Sequence, residues 1–503
     1  METRKKLEEL YSILERLERF RNVIAVLSFD SSTICPEMGR EYQDESATMI
    51  NMLSYELEKG DEFTGLVKDL YAKRDELDEY NIRLIETLYE DVKNNEKLDP
   101  ELFEKACKLF DKSYRVWLKA KQNSSYEEFE PTLKECVEMQ KKLVSVREFK
   151  KDNCYDTLLS DFEKDFTQKD YDEYFNLLKE ELIPLIQKVK NSKKKIRTDF
   201  LSRSFPIQKQ EEFSQYLMDV LGFDKKKGVL STTEHPFTNS LSRYDTRITT
   251  HYYENQFISN MYSVIHETGH AIFGQNEPDE IYNAHLQDHM SMGMHESVSR
   301  FYENRIGRSK EFIHLIYPKL LELFKEQLSD VSEEELYLAV NAVDLNNPIR
   351  TEADELTYSM HIIIRYELEK EFINNDKFDF KTLNKKWNEL YEKYLGIKVR
   401  NDKEGVLQDV HWTNSYGYFA TYAIGNAYNS MYIKEMEKEL DIKKCIANNE
   451  ISKINEWMKE HVFKKASLLK PKEWIKDITS RSLDGHDFVD YLKAKYKEIY
   501  DLD

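Results

Sequence analysis

Residues 261–273 read Met261-Tyr262-Ser263-Val264-Ile265-His266-Glu267-Thr268-Gly269-His270-Ala271-Ile272-Phe273. Apolar residues on both sides of the polar core, and no proline, make this stretch a helix. His266 and His270 stand at i and i+4, so they project from one helical face, close enough to grip a single metal ion. Glu267 follows the first histidine, where it can take a proton from a water at the metal. The spacing predicts a zinc hydrolase built on helices. H-E-x-x-H is short, however, and a third ligand has to come from elsewhere in the chain.

Glu296 is the candidate. It lies 26 residues after His270 in His295-Glu296-Ser297-Val298-Ser299-Arg300, a separation that suits a second helix packed back against the first. Two histidines and one glutamate leave a position open for water, as hydrolytic zinc sites require. The predicted metal set is His266, His270 and Glu296, with Glu267 as general base. The competing reading makes Glu296 a salt-bridged surface carboxylate. Histidine crowding favours the ligand, since six of the 12 histidines fall between His251 and His295. His285 and His289 repeat the i, i+4 spacing and read as cleft residues rather than a second metal site.

The remaining composition agrees with a helical protein. Only 10 prolines and 14 glycines occur in 503 residues, and helices exclude both from their interiors. Leu7, Leu10, Leu14 and Leu17 recur at helical spacing, and similar stretches fill most of the first 220 residues. From Gly228 to Tyr253 the chain turns rich in Thr, Ser and Tyr, and alternation around Thr246, Ile248 and Thr250 predicts a strand in a small antiparallel sheet near the active site. No Pro/Gly/Ser-rich linker divides the chain. The expected class is mainly α, one large helical domain over residues 1–503, with two lobes as its variant.

A formal net charge of -20 excludes nucleic acid as partner, because phosphates would be repelled. No run of about 18 apolar residues is present, which excludes a membrane span. The first residues, Met1 to Lys6, lead into an amphipathic helix and not into an apolar signal core. Cys35, Cys107, Cys136, Cys154 and Cys445 are scattered and form no C-x-x-C pair, as expected of reduced thiols in the cytoplasm.

Six motifs in order resemble the carboxypeptidase Taq-type metallocarboxypeptidases. They are His235-Pro236-Phe237, Asp245-Thr246-Arg247-Ile248-Thr249, HETGH at 266–270, HESVSR at 295–300, Ile349-Arg350-Thr351-Glu352-Ala353-Asp354, and Gly405-Val406-Leu407-Gln408-Asp409-Val410-His411-Trp412. The match runs across about residues 220–430 and weakens toward both ends; Ser28-Phe29-Asp30 stands where the family usually has a tryptophan before the aspartate. The resemblance implies a large helical metallopeptidase fold with a deep central groove. It also implies removal of single residues from the free C-terminus of peptides, zinc or cobalt as metal (one ion per chain), and a homodimer. A helical zinc oligopeptidase that cuts internal bonds is the alternative.

Under that resemblance the remaining site residues acquire roles. A guanidinium suits a C-terminal carboxylate through paired, charge-assisted hydrogen bonds. Arg350 is the first candidate and Arg247 the second. Each could instead be a structural ion pair, Arg350 with Glu352 or Asp354 and Arg247 with Asp245. By similarity to helical zinc peptidases, His411 and a following tyrosine, Tyr422 before Tyr418, would meet the oxyanion. Core packing is the competing reading for both tyrosines. His235 would line the S1′ side or serve as a turn residue, and Asp409 would orient His411 or a ligand histidine. The family usually places five residues between His-Trp and Gly-Tyr-Phe-Pro-Thr-Tyr. Here there are four (Thr413 to Tyr416), and Ala420 replaces the proline, a change that bears on subsites.

Overall fold

The computed structural model describes residues 2–287 and 289–502; Met1, Asp288 and Asp503 lie outside them. About 70% of the chain is helical. The first two long helices, Glu2–Thr33 and Arg40–Lys59, form a hairpin. Leu10, Ile13, Leu14 and Leu17 are buried in a small apolar core with Phe63, Leu84 and Ile85, as their spacing predicts. Ile281, Leu286 and Leu468 join that core from far along the chain. A much larger core runs from Trp117 to Tyr500 and holds every element that carries the site. Each Leu, Ile or Phe buried there stabilises the fold by roughly 1.5–3 kcal/mol.

The β segment is a three-stranded sheet in the order β1-β3-β2, with β1 at Gly228–Thr232, β2 at Thr238–Ser242 and β3 at Asp245–Thr250. The sheet is mixed and not antiparallel throughout, which corrects the sequence expectation. β2 and β3 are joined by Arg243-Tyr244 and pair antiparallel, with Thr238 opposite Ile248. β1 lies on the other edge of β3 and pairs parallel, with Gly228 opposite Thr246. Residues 233–244 form the crossover a parallel pair requires, and β2 lies within it. The first helix packs onto this sheet, where the Phe29 ring meets Phe237 edge-on at 5.9 Å.

Three further helices build the site. The motif helix, Phe257–Asn276, buries 14 of its 20 residues. The ligand helix, Met292–Arg300, is capped by Ser291 Oγ accepting from Met294 N and continues as a π-helical turn, Phe301–Gly307. It is sandwiched between the motif helix and a third helix, Phe419–Met436. Glycines permit that closeness. A Cβ on Gly269 would come within 2.9 Å of Ser299 Cα, and one on Gly425 within 2.8 Å of Ser297 N. Behind them the helix Glu355–Asn374, with 16 of 20 residues buried, forms a central post.

Candidate active site

His266, His270 and Glu296 converge. One ligand atom from each lies within 4.8 Å of the others, and they are the one such group among the described residues. Glu296 Oε2 is 3.8 Å from Nε2 of both histidines. The two Nε2 atoms therefore face the carboxylate, and the outer Nδ1 atoms carry the ring protons. His266 Nδ1 donates to Glu303 Oε2 at 2.9 Å, and His270 Nδ1 and His295 Nδ1 share a hydrogen bond at 2.7 Å, in which His270 would be the donor with its Nε2 on a metal. Such outer partners fix the tautomer and orientation of a ligating imidazole. Arg300 spans the two carboxylates, bonding Glu296 Oε1 at 2.8 Å and Glu303 Oε2 at 3.1 Å.

The charges fit a cation. Burial opposes the charged form of His266, yet Glu296, Glu303 and Glu267 together lift it to about 9. A proton is drawn to the place where a divalent ion would take over the same stabilisation. Burial also works against ionised Glu303, but Arg300, His266 and Arg308 hold it well below the usual carboxylate range. Burial pushes His295 down to about 4, so it stays neutral and can accept from His270. Two imidazoles and a carboxylate, with acceptors behind, are a donor set suited to zinc.

Glu267 is buried on the same helix. Thr238 Oγ1, on β2, donates to Glu267 Oε2 at 2.6 Å and leaves the other carboxylate oxygen free. Burial raises the Glu267 carboxyl above the ordinary range, towards the operating pH of a general base. The small sheet thus positions Glu267, the candidate base, a link that the H-E-x-x-H spacing does not disclose.

A second cluster adjoins the first through Tyr358, whose ring lies 3.9 Å from the Arg300 guanidinium. Arg350 NH1 faces the Tyr358 hydroxyl at 3.5 Å. Arg350 does not pair with Glu352 or Asp354. Its Nε and NH2 both donate to Asp409 Oδ1, at 3.0 and 2.9 Å, and Arg365 Nε donates to Asp409 Oδ2 at 2.7 Å. Asp354 instead caps the post helix, accepting from Thr357 N. Asp409 accordingly holds two arginines and not an imidazole. Burial opposes its charge, but the guanidiniums keep it well below the usual carboxylate range.

His411 and Tyr422 come together, with Nε2 and the hydroxyl 3.2 Å apart, beneath the Arg350 guanidinium at 4.9 Å from the Tyr422 ring. Burial pushes His411 down to about 4, and Tyr422 is raised well above the normal phenol range, so both are neutral donors. Tyr418 stands edge-on to Tyr422 at 5.1 Å. Arg247 makes the anticipated pair with Asp245, at 2.9 and 2.7 Å. His235 is exposed on the crossover before β2. His285 bonds Glu18 at 2.6 Å, away from the ligand set.

The sequence profile of the family described as carboxypeptidase Taq (M32) metallopeptidase matches residues 9–496. The chain belongs to this family. As an M32 chain it is 36% identical to carboxypeptidase 1 of Bacillus subtilis (strain 168) over 98% of both sequences. It is 30% identical to thermostable carboxypeptidase 1 of Pyrococcus furiosus, over 97% of this chain and all of that one. The solved M32 carboxypeptidase from Deinococcus radiodurans R1 superposes with a TM-score of 0.94 at 29% identity, covering 99% of this chain and 100% of that one. This M32 protein is a metal-dependent carboxypeptidase, a peptide hydrolase, and the oligopeptidase alternative is not favoured. No helix among the described residues is long and apolar enough to cross a membrane.

Four contributors escaped the sequence reading: Glu303, Thr238, Tyr358 and Arg365. Glu303 alone left a signal, since it lies seven residues after Glu296, two helical turns along the same face.

Proposed function

We propose that the chain uses one zinc ion, held by His266 Nε2, His270 Nε2 and Glu296 Oε2, to release single residues from peptide C-termini, with Glu267 as general base. The convergence of those three donor atoms within 4.8 Å carries the reading. Zinc, or cobalt in the same donors, supplies Lewis acidity toward a carbonyl and lowers the pKa of the attacking water. Glu267, fixed by Thr238 through one oxygen, takes the water proton on the other and passes it to the leaving amine.

Arg350 receives the substrate carboxylate. Two buried guanidiniums share Asp409, and Arg350 NH1 has only the 3.5 Å contact with Tyr358, which leaves it a donor to spare for an incoming carboxylate. Arg247, its charge taken up by Asp245, is the second choice. With His411 Nε2–H donating to the Tyr422 oxygen, the phenol proton is free for the oxyanion; Tyr418 is the alternative donor. His235, three residues before Thr238, we assign to the rim of the S1′ side.

We further read the chain as a single peptidase domain over residues 1–503, working as a homodimer in the cytoplasm. Support comes from the family likeness for the dimer and from five free cysteines for a reducing compartment.

A peptide and its C-terminally amidated twin test the polarity of cleavage. Mass spectrometry should show stepwise loss of single residues from the acid and none from the amide. Equal cleavage of both would remove the carboxylate-binding role of Arg350.

A further inference from the structure

Glu369 is fully buried on the post helix, makes no ion pair among the described residues, and touches none of the metal ligands. Its three hydrogen bonds all come from neutral donors. Trp412 Nε1 donates to Oε1 at 2.7 Å, and Gly417 N and Tyr155 Oη donate to Oε2 at 2.9 and 3.0 Å. Trp412 immediately follows His411, and Gly417 immediately precedes Tyr418. One carboxylate therefore fastens this loop at both ends, beside His411 and beside Tyr418, the alternative oxyanion donor, with Tyr422 one helical turn further on. One helical turn earlier, Arg365 holds Asp409 on the approach to the same loop.

We propose that Glu369 is a positioning residue for catalysis, setting the His411–Tyr418 loop through Trp412 and Gly417. Burying a carboxylate with no salt-bridge contact is costly even with the Arg365 charge nearby, and a neutral side chain would be the cheaper occupant if packing were the only task. What a carboxylate supplies is two acceptor oxygens with no proton of their own, matched to an indole N–H and a backbone N–H about one loop apart. Glutamine has the same shape but turns an NH2 toward one of those donors, so one end of the loop is released. Burial lifts the Glu369 carboxyl to about 7, while the N–H donors of Gly417 and Trp412, the Tyr155 hydroxyl and the charge of Arg365 all pull back toward the ionised form. Only four residues, Thr413 to Tyr416, separate Trp412 from Gly417, which leaves little slack between the fastened ends.

The proposal rests on His411 and its tyrosine acting on the oxyanion, and the test separates the two claims. A double-mutant cycle of Glu369→Gln and His411→Ala, assayed on an N-blocked peptide with a free C-terminus, reads kcat, KM, metal content and Tm. Glu369→Gln should lower kcat by about tenfold or more, the scale of lost outer-shell support. KM should change far less, because the oxyanion contacts exist only in the transition state. Metal content should stay at the wild-type value. In the His411→Ala background the same substitution should cost about twofold or less, because its target is already gone. An equal loss in both backgrounds, or loss of metal in step with kcat, would overturn the positioning role. If His411→Ala alone left kcat intact, the oxyanion reading would fail first and take this proposal with it. Should Glu369→Gln not fold, Trp412→Phe enters the same cycle; it deletes one donor, keeps an aromatic ring against Phe372, and should show the same coupling.

Discussion

The two halves of the active site are built on opposite electrostatic plans. Around the metal position, Glu296, Glu303 and Glu267 all pull on His266, and the cluster attracts a cation. Around Arg350, two guanidiniums share Asp409, and this is the half we propose for the substrate's carboxylate. The first half comes from three local pieces of helix and strand. The second gathers Arg350 from the turn before the post helix, Tyr358 and Arg365 from that helix, Asp409 and His411 from the loop, and Tyr422 from the helix Phe419–Met436. A peptide spanning both would present its carbonyl to the first half and its terminal carboxylate to the second, which orients cleavage at the last bond.

Breaking the metal half at its base should have the largest effect. Glu267→Gln is expected to lower kcat by about 10²–10⁴-fold, the contribution of a positioned general base, while metal stays bound. Steady-state kinetics with elemental analysis checks both; near-normal kcat would remove Glu267 from the mechanism.

Breaking the cationic half should show first in stability. Asp409→Asn leaves two buried guanidiniums facing each other, at a cost of about 3–5 kcal/mol. The pH dependence sharpens this. The folded-state Asp409 carboxyl is depressed, so its contribution is fully present above the unfolded value near 3.9 and is lost as pH falls through the folded one. Wild-type Tm should therefore drop as pH is lowered from about 4, with a shallower slope in Asp409→Asn. Parallel slopes would show that Asp409 is not the group responsible.

The smallest effect tests the asymmetry within the metal half, where His266 leans on a carboxylate and His270 on a neutral imidazole. Glu303→Gln should weaken metal binding by about 10–100-fold, measured by chelator competition. His295→Ala is expected to cost less, because it removes a neutral partner. The reverse order would mean that His270 and not His266 anchors the ion.

The legible part of this site is the part where sequence neighbours are also spatial neighbours. His266, Glu267 and His270 sit within about one helical turn, so a period of 3.6 residues places them without any knowledge of packing. Glu296 is accessible as the carboxylate beside His295, at a separation from His270 that suits a second packed helix. Arg350 is legible by its chemistry, but its ion-pair partner is not: Glu352 and Asp354, the partners of the competing reading, are near in sequence, whereas Asp409 is near in space. The sheet illustrates the same limit. Alternation around Ile248 announced β3, but not that β1 would cross over and pair parallel on its far edge.

By itself the sequence determined a mainly helical chain with a candidate metal-binding turn, candidate base and candidate third ligand, because helical periodicity and donor chemistry are local properties. Tertiary structure alone decided that β2 steadies the base through Thr238, that Asp409 serves two arginines, and that Glu369 fastens the His411 loop. Those outcomes depend on which buried polar groups can satisfy one another once the helices have packed, and no local rule carries that information.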